Sequence, residues 1–179
     1  MTRRHILCMA MLLTLGLAHS FSSDEAKVGE LAPDFWLKDQ WEEFFKLSNL
    51  RGQVVLLVYG DRGGAQFNGN WAKAVREKYN SGGNERVKIV PIANLSAVPR
   101  PFRGYAKGKF QVVNEGTRAR PVLLDWEGGV AKLYGFQEGV SNVYLINRDG
   151  VLRYKTSGKG LTGETNLMCE TIDRVLGGK

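Results

Sequence analysis

In the first half of the chain, apolar residues form one uninterrupted run and then one regularly spaced series. Residues 54–59 (VVLLVY) are all apolar, as expected for a strand that is covered on both faces of a sheet. After a glycine-rich turn, apolar side chains recur every four residues at Phe67, Trp71, Val75 and Tyr79. This spacing places them on one side of a helix. The stretch therefore predicts a central strand, a turn and an amphipathic helix.

The same patterns predict further elements on both sides of this unit. The predicted strands cover residues 34–38, 44–47, 86–93, 120–126, 143–146 and 151–154. The last two strands flank the sequence NRDG, and its Asp-Gly pair favours a hairpin turn. Two further helices are predicted at 128–136, ending at Gly135, and at 164–176, with the apolar stripe Leu167, Met168, Ile172, Val175 and Leu176. Strands that alternate with helices and end in a hairpin predict an α/β fold with a mixed central sheet and helices on both faces.

Residues 99–117 fit neither pattern fully. Phe102, Tyr105, Ala106 and Phe110 have a spacing that suits a short helix, whereas the glycines and two prolines of this stretch weaken that prediction. We therefore expect a short helix or a loop here.

The first 20 residues have the pattern of a secretory signal peptide. Arg3 and Arg4 precede a 13-residue apolar run at 6–18, and polar residues follow. The run is too short to span a bilayer as a helix of about 20 residues, although an N-terminal anchor is the alternative. With cleavage after Ser20, we expect an exposed lead-in at 21–33 and one domain at 34–179, in a periplasmic or secreted protein.

Cysteine and histidine usage limits the available chemistry. The chain has two cysteines and two histidines, and Cys8, His5 and His19 all lie in the predicted signal peptide. The mature chain keeps only Cys169, which allows no intramolecular disulfide. We expect Cys169 to be a structural, half-exposed thiol beside the stripe of the last helix, with a role in cross-linking two chains as an alternative. Without histidine, acid–base catalysis by imidazole and most transition-metal sites are excluded, so we predict no metal and no cofactor.

Positive charge is concentrated in one segment. Loss of Arg3 and Arg4 leaves 23 basic and 18 acidic residues, a net charge of +5, and residues 100–120 alone carry +5. This basic patch consists of Arg100, Arg103, Lys107, Lys109, Arg118 and Arg120. An exported protein is not expected to bind nucleic acid, so the candidate partners are anionic lipid headgroups at a membrane surface, polysaccharide or an acidic envelope protein. A solvated surface without a partner is the alternative, and the oligomeric state is not predicted.

Two motifs carry a resemblance to a known family. The first is APDFWLKDQWEEFFKLSNLRGQVVLLVYG and the second is VYLINRDGVLRY, preceded by VLLDWEGGVAKLYGF. They resemble the redoxin superfamily, which includes the AhpC/TSA proteins and periplasmic thioredoxin-like proteins. The resemblance covers residues 30–160 and implies a thioredoxin-like fold, but the motifs carry no chemistry. The segment IVPIANLSAVPRPFRGYAKGKF also resembles an uncharacterised periplasmic family of Gram-negative bacteria, the YtfJ type, which implies no known activity.

The chain departs from redox-active members of that superfamily at two positions. Those members carry reactive cysteines directly after the first long strand, where this chain has Asp61, Arg62, Gly63, Gly64, Ala65, Gln66 and Phe67. Disulfide-exchanging members also carry a cis-proline before the later hairpin, where this chain has Ser141. A cis bond before a residue other than proline costs about 2.5–4 kcal/mol, so we expect a trans bond there.

The glycine-rich loop allows two interpretations. Gly63 and Gly64 can adopt positive φ at low cost, and the N–H groups of the following helix could bind an anion with help from Arg62. The alternative, which we favour, is a simple connector.

These features predict a redox-inactive binding or assembly module in the cell envelope and favour a non-enzymatic role. The alternative is a thiol oxidoreductase or peroxiredoxin-like antioxidant protein that uses Cys169 or a thiol of a partner. Because surface charges contribute little to stability, reversing Arg100, Arg103, Lys107 and Lys109 is predicted to leave the thermal midpoint nearly unchanged.

Overall fold

A computed structural model describes residues 25–113 and 121–177. The described residues contain seven strands, β1 to β7: Trp36–Asp39, Phe44–Lys46, Val54–Gly60, Val87–Asn94, Leu123–Asp125, Ser141–Ile146 and Leu152–Gly158. They also contain four α-helices, α1 to α4: Ala65–Tyr79, Arg103–Val113, Gly129–Tyr134 and Thr162–Leu176. Short 3₁₀ turns occupy Leu47–Leu50, Ser81–Gly83 and Arg100–Phe102. The predicted signal peptide and residues 114–120 lie outside the described residues.

All seven strands form one sheet in the order β2-β1-β5-β4-β3-β6-β7. The central strand β3 pairs in parallel with β4 and antiparallel with β6, and β4 pairs in parallel with β5. The two edge pairs, β1 with β2 and β6 with β7, are antiparallel. The sheet is therefore mixed, and the predicted α/β architecture is confirmed.

The apolar run at 54–59 forms the centre of the molecule because both of its faces are covered. All seven residues of β3 are buried. Val54, Leu56 and Val58 point into one cluster with residues of α1 and α4. The alternate side chains, including Leu57 and Tyr59, point into a second cluster with residues of α3 and the 25–35 segment. Side chains of successive strand residues point to opposite faces, so an uninterrupted apolar run is what a two-sided core requires.

The element boundaries differ from the predictions by a few residues, and the ambiguous segment is helical from Arg100 to Val113. Within that segment Phe102 and Tyr105 are exposed, so they do not form the inward stripe of a short helix. Leu167 is also exposed, and its assignment to the buried stripe of α4 was wrong. The residues of α4 that face the core include Thr165, Met168 and Ile172.

The described part of the lead-in, residues 25–33, packs against the domain instead of being wholly exposed. Ala26 and Ala32 are buried, whereas Val28 and Leu31 are exposed. Backbone hydrogen bonds join Gly29 N and Leu152 O, and Ala32 N and Gly150 O. The segment therefore covers the beginning of β7.

The predicted turn after β6 is confirmed by the backbone. Gly150 adopts a φ of +78°, and its N–H donates to the carbonyl of Asn147. The helix at α3 ends at Gly135, as predicted, with a left-handed φ of +64°. None of the helices in the described residues is long and apolar enough to cross a membrane.

Candidate functional site

The loop at 61–67 follows β3 and includes the first turn of α1. The resemblance places the active-site position here. The side chain of Asp61 accepts hydrogen bonds from two segments here. One carboxylate oxygen, Oδ1, accepts a hydrogen bond from Gly64 N at 2.7 Å, and the other, Oδ2, accepts one from Gly139 N at 3.1 Å. Asp61 therefore joins the beginning of α1 to the loop that precedes β6.

This arrangement weakens the anion-binding interpretation of the loop. An external anion would compete with the Asp61 carboxylate for the N–H groups at the beginning of α1, and two like charges at one site repel each other. The carbonyl oxygen of Asp61 also accepts from Ala65 N at 2.8 Å. The loop supplies its own N-terminal cap for α1.

Gly63 and Gly64 do not use the positive φ values that glycine permits. Gly64 has a φ of −77°, and neither glycine is among the residues with positive φ. The requirement for glycine is steric, since a Cβ atom at Gly64 would overlap the carbonyl oxygen of Val140. At Gly63 a Cβ would lie 3.2 Å from the Cα of Gly139, a tighter contact than usual. The two loops approach so closely that a side chain does not fit at Gly64, whereas at Gly63 a small shift of the neighbouring loop would admit one.

Ser141 lies beside this loop, as the resemblance implies for the cis-proline position. The peptide bond that precedes it is trans, because no cis bond occurs among the described residues. Ser141 is fully buried, and its Oγ donates a hydrogen bond to Oδ1 of Asn68 on α1 at 2.7 Å. The loop at 61–67 and Ser141 therefore lie close together. The two segments are joined by the hydrogen bonds of Gly139 N with Asp61 and of Ser141 with Asn68, and by the close approach of Gly64 to the Val140 carbonyl.

Cys169 is buried on α4, with 8% of its surface exposed, so the prediction of a half-exposed thiol was wrong. It belongs to the core cluster between α1, α4 and the sheet. Tyr79 Oη donates to the backbone carbonyl of Cys169 at 2.8 Å and lies 2.9 Å from Asp173 Oδ1. Burial raises the pKa of the Cys169 thiol above its ordinary value. A buried thiol with a raised pKa is a poor nucleophile at neutral pH.

Asp125 is a buried carboxylate that the sequence does not single out. It accepts hydrogen bonds from Tyr59 Oη at 3.0 Å and from the backbone N–H groups of Gly129 and Val130 at 2.9 Å each. Burial, and then the charge of Asp125, raises the pKa of Tyr59 far above its ordinary value. All of these contacts are internal, and they hold β3, β5 and α3 together. The signal that could have found Asp125 is the turn Glu127-Gly128-Gly129 directly after its strand, which leaves it in position to cap the next helix.

The basic patch is partly neutralised by contacts within the protein. Arg103 forms an ion pair with Glu127 at 2.7 Å, and its other terminal nitrogen donates to the Trp126 carbonyl at 3.0 Å. Lys107 forms an ion pair with Glu42 at 2.6 Å. The Arg103 hydrogen bond is the largest cause of a lowered pKa of Glu127.

The other four cations of the patch fall into two groups. Arg100 and Lys109 are exposed and form no ion pair with another described residue. Arg118 and Arg120 lie outside the described residues.

A groove of about 510 Å³ runs beside α1. Val58, Ala72 and Ile89 contribute apolar surface to it, and Arg76 and Lys88 are among its polar residues. Lys88 forms an ion pair with Glu85 at 3.2 Å. Within residues 25–113 and 121–177, no three His, Cys, Asp or Glu side chains lie close enough together to hold a metal ion.

The mixed sheet, the two-sided core and the paired loops at 61–67 and 137–141 define a thioredoxin-like α/β domain of the redoxin class. The family model of the AhpC/TSA family matches residues 28–155, and the chain belongs to this family. No curated protein sequence matches the chain.

Solved structures share the fold at low sequence identity. A candidate thiol:disulfide interchange protein DsbE from Chlorobium tepidum is 21% identical, with a TM-score of 0.63 over 85% of this chain and 99% of that one. The exposed lipoprotein thioredoxin of Streptococcus pneumoniae is 17% identical, with a TM-score of 0.60 over 79% and 99%. The thioredoxin domain of a thiol-disulfide oxidoreductase from Bacteroides vulgatus is 16% identical, with a TM-score of 0.56 over 80% and 99%. These similarities concern the fold.

Proposed function

We propose that this protein is an exported member of the AhpC/TSA family that acts as a non-catalytic binding or assembly module in the cell envelope. The observation that carries the proposal is the composition of the loop at the beginning of α1. Redox-active members of the superfamily carry a thiol there, whereas this loop places the Asp61 carboxylate against Gly64 N and Gly139 N.

The chemistry of thiol exchange supports the proposal. Disulfide exchange and peroxide reduction both begin with attack by a thiolate that can reach its substrate. Cys169 is buried, and burial raises the pKa of its thiol, so at neutral pH it supplies little thiolate and no access. Ser141 stands in place of a cis-proline, and its hydroxyl group donates a hydrogen bond to Asn68.

Two observations support a location in the envelope. The N-terminal sequence has the pattern of a secretory signal peptide. One of the similar structures is named as an exposed lipoprotein. The names of the others as thiol–disulfide proteins favour the alternative function, a thiol oxidoreductase, which in this chain would have to use Cys169 or a thiol of a partner.

Redox assays on the purified protein test this proposal. The full chain is expressed, purified after export and assayed for reduction of insulin disulfides and of hydrogen peroxide, beside the variant Cys169→Ser. We expect both proteins to turn over substrate at the background rate, because neither presents a reactive thiolate. We also expect Cys169 to be alkylated by iodoacetamide much more slowly in the folded protein than in urea.

A thioredoxin assayed in parallel is the positive control. Turnover by the native chain that disappears in Cys169→Ser would overturn the proposal and establish the oxidoreductase. Turnover that survives in Cys169→Ser would also overturn it, because it would show catalysis without a thiol.

A further inference from the structure

Helix α2 turns three of its charged and polar side chains toward the rest of the protein. Arg103, Lys107 and Gln111 recur every four residues and therefore lie on one side of the helix. Arg103 contacts Glu127 and the Trp126 carbonyl, Lys107 contacts Glu42, and Gln111 Nε2 donates to the Gln40 carbonyl at 2.8 Å. Polar contacts thus anchor the helix along three successive turns.

The opposite side of α2, together with the last residue of the 3₁₀ turn before it, presents apolar side chains to solvent. Phe102, Tyr105 and Val112 are 61%, 70% and 60% exposed, and the Lys109 ammonium lies 5.0 Å from the centre of the Tyr105 ring. These four residues have the spacing of one helix stripe, at intervals of three and four residues. Exposed apolar side chains that lie together on one side of a helix mark a candidate surface for interaction.

A second exposed aromatic pair lies on β1 and β2, and an ion pair links the turn between these strands to the inner side of α2. Trp36 and Phe44, on the paired strands β1 and β2, are 68% and 72% exposed, and their ring centres are 6.3 Å apart. The Lys38 ammonium lies 4.7 Å from the centre of the Phe44 ring and 3.3 Å from Glu42. Glu42 is also the partner of Lys107 on α2. We call these five exposed side chains the aromatic face: Trp36, Phe44, Phe102, Tyr105 and Val112.

The electrostatics of the aromatic face are asymmetric. Two neighbouring acidic groups are paired, since Glu42 binds Lys38 and Lys107, and Glu127 binds Arg103. Arg100 and Lys109 are exposed and have no ion-pair partner among the described residues, and the same holds for Glu43 beside Phe44. By sequence the 100–120 segment carries a net charge of +5. Two unpaired cations against one unpaired carboxylate leave the charge beside these aromatic side chains positive.

We propose that the aromatic face docks on the surface of an anionic lipid bilayer. Aromatic side chains partition into the headgroup region, where their apolar bodies are buried and their polar atoms stay hydrated. Flanking Lys and Arg side chains are attracted by the negative surface potential of anionic lipids. The proposal rests on the proposed function as a binding module and names its partner.

The shape of the surface disfavours a peptide ligand, and its charge favours an anionic bilayer. The outward stripe belongs to one side of a helix and to a two-stranded ribbon, and the described groove beside α1 is lined by other residues. A planar partner needs no cleft, whereas a peptide ligand does. The cations stacked on Tyr105 and Phe44 bring positive charge next to each apolar ring, which matches the combination of phosphate and hydrocarbon in a lipid interface.

Vesicle flotation tests the proposal. The protein, purified after export of the full chain, is mixed with vesicles of phosphatidylglycerol and phosphatidylethanolamine, or of phosphatidylcholine alone. We expect partition into the anionic vesicles that weakens as salt is raised, together with a blue shift of tryptophan emission that is lost in Trp36→Phe. The triple variant Phe102→Ser, Tyr105→Ser, Val112→Ser is expected to bind about tenfold more weakly, because most of the apolar surface offered by α2 is gone.

The matched control removes exposed apolar side chains elsewhere. Val28→Ser, Leu161→Ser and Leu167→Ser change residues that are about equally exposed, and this triple variant is expected to bind as the native protein does. If the first triple variant does not fold, Arg100→Gln with Lys109→Gln must still lose most of the anionic preference.

Equal binding by the two triple variants would overturn the proposal, as would equal binding to the neutral vesicles. Self-association that depends on the aromatic face, without vesicle binding, would assign the surface to a second copy of the chain. Because redox turnover is measured separately, a failure here leaves the proposed absence of thiol chemistry untouched.

Discussion

At the scale of single residues, Asp61 and Gly64 set the geometry of the loop between β3 and α1. Asp61 places one carboxylate oxygen on the backbone of α1 and the other on the loop before β6. Gly64 lets the carbonyl of Val140 approach the beginning of the helix. The loop is therefore a tightly packed junction, and substitutions there affect stability as well as any function.

We predict opposite effects for two Gly-to-Ala substitutions that lie close together in sequence. Gly64→Ala would place a methyl group on the Val140 carbonyl oxygen, so the backbone must shift, and we expect a loss of about 3 kcal/mol in the free energy of unfolding. Gly69→Ala, inside α1, meets no atom within 4 Å and should gain up to about 1 kcal/mol from helix propensity. Urea denaturation of both variants measures the difference. Equal stabilities would contradict the close approach of the two loops.

The sequence was sufficient to place this loop but not to explain its glycines. The apolar run before it and the four-residue spacing after it are local signals, and both elements are present. The contact that requires Gly64 is made with Val140, which is distant in the chain. Burial of Cys169 escaped prediction for a related reason. The packing of α4 on α1, through Tyr79 and Asp173, decides which side of α4 is covered.

At the scale of elements, α2 is held by polar contacts and presents apolar side chains outward. Arg103 and Lys107 belong to the basic patch by sequence, but their side chains serve as anchors for the helix. The prediction that reversing all four cations leaves the thermal midpoint unchanged therefore needs revision. Arg103 has structural contacts, whereas Arg100 and Lys109 are exposed. Lys109 lies over the ring of Tyr105, and the charge of Arg100 contributes to the lowered pKa of Glu127 without forming an ion pair with it.

Charge reversal is predicted to destabilise the protein at Arg103, which anchors α2, and to have little effect at the exposed Arg100. Arg103→Glu would lose the hydrogen bond to the Trp126 carbonyl and place a carboxylate beside Glu127, and we expect a loss of about 2 kcal/mol in the free energy of unfolding. Arg100→Glu, on the same segment and exposed, should change it by less than about 0.5 kcal/mol. Thermal and urea unfolding of the two variants give the comparison. Equal losses would show that Arg103 does not anchor α2.

The orientation of α2 lies beyond what periodicity can predict. Phe102, Tyr105, Ala106 and Phe110 suggested an inward apolar side, and a helix normally buries such residues. Phe102 and Tyr105 are exposed, whereas Ala106 and Phe110 are half-buried. Arg103 and Lys107 make the contacts of the inward side, with two separate loops. Such tertiary contacts override the local pattern, whereas β3, with no polar alternative on either face, follows its pattern fully.

At the scale of the whole molecule, the protein has the sheet and helices of the redoxin fold, but the loop at 61–67 contains no cysteine. The sheet order brings the end of β3 next to the start of β6, so the loop at 61–67 and Ser141 meet. The order and type of the elements followed from the sequence because each carries its own periodicity. The edge pairing of β1 with β2 and the packing of residues 25–33 on β7 depend on distant contacts and were less completely predicted.

The most direct test of this frame is a thiol count on the variant Gly63→Cys with Gln66→Cys. Gly64 and Ala65 are left in place, because Gly64 contacts Val140 and Ala65 N donates to Asp61 O. The side chain of Gln66 already reaches Gly63, with Nε2 2.7 Å from its carbonyl oxygen. The variant is oxidised with glutathione disulfide, denatured and alkylated, and its free thiols are counted by mass spectrometry. We predict that the two introduced thiols form an intramolecular disulfide, so that Cys169 alone is alkylated in the mature chain. A folded variant in which all three thiols are alkylated would contradict the assignment of this loop as the redoxin active-site position.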